Sequence, residues 1–294
     1  MVETTTIVTM GSIVATALIG VIIALIVIAK RFKEKGVLAS FFYGLITFFV
    51  AEYTLRLPFL NAFSTVSGFD ELVDNYYVIY TLFLAVTTAA FELFARWFAL
   101  KIFLKGQITY GKAFSAGFGH GALELLVIIG YTMMGNIFTS VMINEGVLNK
   151  VMLESGETQE KINTVVDSLV NANVNDYYIQ LMQQVFLLAI QVGLTMLLAY
   201  FILQGKQLFG MVMTLLIHTA VNFGLGIING FSNGYFQKEI PQLTGDLLYL
   251  GYAAIFVIAT AQFMRYAGPR INKRAEELGF RKVEEKKQFP KFTK

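Results

Sequence analysis

Three pairs of polar residues stand inside otherwise apolar runs: Glu92 with Arg96, His120 with Glu124, and His218 with Asn222. Each pair is spaced by four, so its members share one helix face. These residue types suit acid–base hydrolysis. A carboxylate beside a neutral imidazole can activate water. A second imidazole and an amide can donate to a developing oxyanion. Alternatively, His120, His218 and Glu124 can hold Zn²⁺ with an open water position, so the cofactor is either none or Zn²⁺. The chain has two histidines and no cysteine, which excludes thiolate nucleophiles, disulfides and Cys-ligated metal. A fourth pair, Glu52 and Arg56, has the same spacing. There Arg56 is expected to snorkel to the outer surface, with Pro58 ending the helix just beyond.

Each pair also has a plain structural alternative. Glu92 and Arg96 can be a self-neutralising ion pair. His120 and Glu124 can be joined by a hydrogen bond where Gly117, Gly119 and Gly121 let a neighbouring helix approach. His218 and Asn222 can be interhelical glue. Ionisable groups inside membrane spans nevertheless cost roughly 2.5–3.5 kcal/mol each and usually mark function.

That these runs are membrane spans follows from composition. Hydrophobic residues make up 56% of the 294, charged residues 15%, and mean hydropathy is +0.61. A soluble domain carries about 25% charged residues, so this chain cannot cover a water-facing surface. Seven stretches approach the ~20 apolar residues a spanning helix needs. They are residues 7–29, 37–57, 76–100, 114–134, 177–203, 208–231 and 247–266. The first lacks a basic leader and a cleavage signal and is read as retained. The expected fold is all-α: a seven-helix transmembrane domain over 1–267 and a basic cytoplasmic tail over 268–294. The domain carries an extracytoplasmic insertion over 135–176, with Ser140 on the outside and one or two amphipathic helices within 147–170.

Charge placement gives the orientation. Of 23 basic residues, 18 flank one set of span ends or lie in the tail, among them Lys30, Arg31, Lys101, Lys112, Lys206 and Lys286. The other side holds Lys150, Lys161 and Lys238 against twelve acids, including Asp70, Asp74 and Glu157. Basic residues stay cytoplasmic, so the N-terminus is expected outside and the C-terminus inside. So mixed a tail suits attraction to anionic lipid rather than nucleic acid.

Depth then links the pairs. At 1.5 Å per residue, Glu92 lies ~13 Å from Lys101, His120 ~12 Å and Glu124 ~18 Å from Lys112, and His218 ~18 Å from Lys206. Independent structural pairs have no reason to share a level, so one intramembrane polar site in the cytoplasmic half is expected.

The order Glu-xxx-Arg, His, His-xxx-Asn resembles the CAAX prenyl protease and bacteriocin-processing (CPBP) superfamily of intramembrane peptidases. The string Gly117-Phe118-Gly119-His120-Gly121-Ala122-Leu123-Glu124 is closer still to the YhfC family of bacterial membrane peptidases. The resemblance runs over roughly residues 76–231. It implies a multi-pass protein of a prokaryotic cell membrane that cleaves a peptide or lipid-modified protein. It also implies that His120 acts on water and that His218 and Asn222 form the oxyanion pocket. The superfamily's first motif, Glu-Glu-xxx-Arg, is incomplete: its water-activating first acid falls on Phe91 and its second on Glu92. Glu92 itself or Glu124, one turn beyond His120, then takes that role. The competing readings are a non-catalytic scaffold or immunity protein that kept the cavity, favoured by Phe91, and a proton-coupled transporter. The spans lack the broken-helix pairs of transporter halves. Gly230-Phe231-Ser232-Asn233-Gly234 fits the nucleophile-elbow pattern but has no strand–turn–helix context. Substrate and oligomeric state are not written in the sequence.

Overall fold

The apolar runs fold as helices, and the computed structural model describes residues 1–232, 234–236 and 240–280. Asn233, Lys238 and the tail from 281, with Lys286, lie outside them, as do the side chains of Asp70 and Asp74. No strand occurs among the described residues, and seven helical stretches are long and apolar enough to cross a membrane. In chain order these begin with α1 (Thr4–Phe32) and α2 (Val37–Phe49). A π-helical segment, Val50–Arg56, continues α2 into α3 (Leu57–Ser64), and α4 (Phe69–Asn75) follows. Then come α5 (Tyr77–Phe98), a second π segment (Ala99–Phe103) and α6 (Tyr110–Asn144). Two short helices, α7 (Leu148–Glu154) and α8 (Gln159–Val170), precede α9 (Val174–Leu203), α10 (Gln207–Ser232) and α11 (Gln242–Glu277). Leucine, isoleucine and phenylalanine side chains stand exposed along these helices, Ile19, Ile22 and Ile23 of α1 among them, as a lipid-facing surface requires.

The bundle is organised around α6, which packs against α1, α2 and α9. Its alternating glycines explain how. A Cβ on Gly119 would lie 2.0 Å from the Phe41 carbonyl oxygen, and one on Gly44 of α2 would lie 1.9 Å from that of Ala116. On the other side, Cβ atoms on Gly117 and Gly121 would lie 2.9 Å from Thr195 and 3.0 Å from Gln191 of α9. Backbones thus meet at distances only glycine allows, and His120 sits in the seam between α2 and α9.

The structure corrects two expectations and adds burial to a third position. The helix does not end at Pro58. In the π segment Leu57 N–H donates to Glu52 O, five residues back, so the register is already shifted where proline lacks its donor. Arg56 does not snorkel outward; it is 8% exposed and turned towards α5. Ser140 is fully buried, because α6 runs on to Asn144 and Ser140 lies on its inner face. The 135–176 connection therefore begins as helix, and α7 and α8 follow, with Ile162 and Leu169 of α8 buried. Asn144 clamps the N-terminus: its Oδ1 accepts from Val2 N at 2.7 Å and its Nδ2 donates to Val2 O at 3.0 Å. At the far end, α11 passes through position 268 unbroken to Glu277.

Candidate functional site

Glu92 lies on α5, two turns before the second π segment, and faces the bundle interior with 1% exposure. His120 comes from the glycine seam of α6, and its Nε2 lies 2.7 Å from Glu92 Oε2. An ionised Glu92 only accepts, so opposite it the ring donates from Nε2 and keeps Nδ1 as an acceptor. The Phe48 ring of α2 covers the imidazole at a centroid distance of 4.7 Å. His218 arrives from α10 with Nε2 3.8 Å from the same Glu92 oxygen. The Nδ1 atoms of both histidines are buried without a hydrogen-bond partner.

Arg96, one turn beyond Glu92, is 1% exposed and aims its guanidinium into this group. Its Nη2 donates to Glu92 Oε2 at 2.9 Å and lies 3.2 Å from His120 Nε2. The same nitrogen donates to Gln191 Oε1 of α9. Gln191 Nε2 in turn donates to Glu124 Oε2 at 2.5 Å. Four spans therefore meet through one chain of polar contacts, from His218 and His120 through Glu92, Arg96 and Gln191 to Glu124. Each carboxylate enters this chain through Oε2 alone, but Glu124 is only partly buried, whereas Glu92 is enclosed.

Of the residues expected at one site, Glu92, Arg96, His120 and His218 are in contact, and Glu124 joins through Gln191. The expected hydrogen bond between His120 and Glu124 is not made; the imidazole turns to Glu92 instead. Asn222 is half-buried one turn beyond His218 and makes no hydrogen bond among the described residues. Phe91 faces away, its ring 5.7 Å from Phe59 of α3. Gln191 was missed by considering ionisable groups alone. Its signal is a polar stripe on α9, Gln184, Gln191 and Thr195, at spacings of seven and four.

The model of the YhfC intramembrane metalloprotease family matches residues 16–240, more than half of the chain and all of these site residues. The chain belongs to that family. It is also 25% identical over 200 residues to the uncharacterized membrane protein YhfC of Bacillus subtilis strain 168, covering 68% of this chain and 76% of that one. No solved structure matches. The family and the seven apolar helices make the chain a multi-pass membrane protein of prokaryotic type.

The family's description implies a metal, and the donor types suit one. Ligand atoms of Glu92, His120 and Glu124 lie within 4.8 Å of one another, with His218 beside Glu92. The arrangement does not fit. Arg96 Nη2 already sits among Glu92 Oε2, His120 Nε2 and Gln191 Oε1, where a cation would bind. Metal-bound histidines almost always donate their second ring nitrogen to an acceptor, and neither Nδ1 here has a partner. In this arrangement the guanidinium is the resident cation.

Proposed function

We propose that the chain is a membrane peptidase that hydrolyses a peptide bond at this polar group, in the cytoplasmic half of the bilayer. The observation that carries the proposal is the convergence of two carboxylates and both histidines of the chain on one buried Arg96. Glu92 is committed to Arg96 and His120, so it holds the imidazole and the guanidinium rather than water. Glu124 is the partly open one of the two, so it is the carboxylate that takes the proton from water and returns it to the leaving amine. Arg96, whose Nε and Nη1 have no hydrogen-bond partner, supplies positive charge and N–H donors for the oxyanion that forms, and His218 lies beside it to donate as well. Asn222 lies one turn beyond His218, as Glu124 lies one turn beyond His120, and belongs to the same tier. No step needs a metal while Arg96 holds the centre. The substrate is a peptide or lipid-modified protein that enters from the membrane, and water reaches it through the Glu124 side.

The second reading is a non-catalytic membrane protein that retains the polar centre. Phe91 favours it, because the acid expected there in the superfamily's first motif is replaced by a ring packed on Phe59. One experiment separates the two. The full chain is reconstituted in lipid with a library of membrane-protein peptides, and products are mapped by mass spectrometry. Cleavage by the wild type that disappears in Glu124→Gln and His120→Ala supports the peptidase. Folded wild type that cleaves nothing supports the second reading. Cleavage that survives Glu124→Gln but not Glu92→Gln returns the base role to Glu92.

A further inference from the structure

A cleft of about 640 Å³ opens between α1, α6, α9 and α11, away from the polar site. It lies within the roughly 300–1,000 Å³ of small-molecule sites. Its walls are apolar, with Ala24 and Val27 from α1, Phe114 and Phe118 from α6, and Val192 and Val257 from α9 and α11. The α6–α9 seam at Gly117 and Gly121 stands between it and Gln191, so it is not a route to Glu92. Only Thr260, Tyr110 and Arg265 bring polar atoms to its lining.

The polar atoms gather at one end. Tyr110 closes the cleft there, its ring 5.7 Å from Phe32 of α1 and within 3.0 Å of where a Cβ on Gly268 of α11 would stand. Arg31 precedes Phe32 in the last turn of α1, on the helix face that carries the cleft residues Ala24, Val27 and Ile28. Arg265 lines the mouth one turn before Gly268. Neither guanidinium makes a hydrogen bond or ion pair among the described residues, and the Tyr110 hydroxyl makes no hydrogen bond there. Two uncommitted cations and a phenol thus flank the mouth of an apolar cleft that spans ~12 Å along α11 from Val257 to Arg265, at 1.5 Å per residue.

We propose that this cleft is a binding site for an anionic phospholipid, with one acyl chain along the apolar walls and the phosphate between Arg31, Arg265 and Tyr110. A peptide is a poor occupant, because its backbone amides would meet walls with almost no hydrogen-bonding partners. An acyl chain has no such groups to satisfy. A zwitterionic headgroup gains less than an anionic one from two arginines. The inference stands independently of the peptidase reading.

The test is native mass spectrometry of the delipidated full chain offered equal amounts of phosphatidylglycerol and phosphatidylcholine with the same acyl chains. Wild type is expected to retain phosphatidylglycerol preferentially, by about fivefold for each arginine engaged, the gain a basic residue makes near an anionic surface. Arg265→Gln should reduce that preference by about fivefold. Ala261→Phe, at an exposed position on the cleft, should remove retained lipid of both kinds without lowering Tm. Equal retention of the two lipids by wild type overturns the proposal. So does an undiminished preference in Arg265→Gln, or lipid kept by Ala261→Phe.

Discussion

Two Glu-xxx-Arg pairs on neighbouring helices have the same spacing and both form ion pairs, yet they sit in different surroundings. Glu92 and Arg96 lie on regular turns of α5. Both His residues and Gln191 are brought to them by three other spans. Glu52 and Arg56 lie in a π segment, and Arg56 reaches only across to α5, to Thr87 Oγ1 and Leu84 O, each at 3.5 Å. Glu52 Oε2 is buried without a partner. The spacing encodes an ion pair and nothing more. What turns one pair into a candidate site is the neighbour it meets, and that neighbour is the glycine seam of α6.

The comparison depends first on which end of the bundle each pair faces, and the effect there is all-or-none. The chain has no cysteine, so single engineered thiols report sidedness cleanly. Ser155→Cys is exposed beyond α7 and should label from outside intact cells, whereas Lys273→Cys on the exposed end of α11 should label only after permeabilisation. The reverse pattern would move the Glu92 pair to the outer half.

Activity should separate the pairs next. With a cleaved substrate in hand, Glu92→Gln, His120→Ala and Glu124→Gln should each lose at least ~100-fold in kcat/KM, the lower end of what a positioned acid or base contributes. Glu52→Gln should stay close to wild type. A comparable loss in Glu52→Gln would merge the two pairs into one site.

Removing the arginines should then show how much each holds. Arg96→Ala leaves Glu92 buried with no cation and should cost about 3–5 kcal/mol in the unfolding equilibrium. Arg56→Ala should cost less, about 1–3 kcal/mol, because the Glu52 side chain is less enclosed than that of Glu92. If Arg96 is the resident cation, Zn²⁺ should raise the Tm of Arg96→Ala and leave that of wild type unchanged. Binding at a hundred times the Kd is worth about 2.7 kcal/mol, well above detection. A Tm rise in wild type would show that a metal displaces the guanidinium.

Much of this contrast was legible in the sequence. Length and apolar runs gave seven spans, and helical rise from Lys101, Lys112 and Lys206 put Glu92, His120, Glu124 and His218 at comparable depth. The glycines at 117, 119 and 121 announced close packing, because a residue without Cβ has that one use in a buried helix. What escaped was rotation about the helix axis. Spacing of four says that His120 and Glu124 share a face, not that His120 turns to α5 while Glu124 turns to α9. It says nothing of Gln191, an uncharged residue whose importance lies in having Arg96 on one side and Glu124 on the other. Nor does it reveal a π register, which turned Arg56 inward and carried the helix past Pro58.

The smallest effects concern the polar residues that steady each arginine, and they test whether the contrast extends beyond the charges. Gln191 is 3% exposed, and both ends of its amide are used, accepting from Arg96 and donating to Glu124. Gln191→Leu leaves both charged partners short of a hydrogen bond in a dry seam, so a loss of about 1–3 kcal/mol is expected. Thr87 offers Arg56 Nε a contact of 3.5 Å, at the limit of a hydrogen bond, and its hydroxyl donates to Leu84 O of its own helix at 3.0 Å. Thr87→Val keeps the shape and removes a marginal bond, so about 0.5 kcal/mol is expected, the low end for a hydrogen bond. Gln191→Glu sharpens the test. It keeps an acceptor for Arg96 but sets a carboxylate against Glu124, so stability should fall even though the salt bridge to Arg96 is strengthened. If Thr87→Val proves as costly as Gln191→Leu, both arginines sit in equally demanding surroundings. The distinction between a structural pair and a site would then rest on the histidines alone.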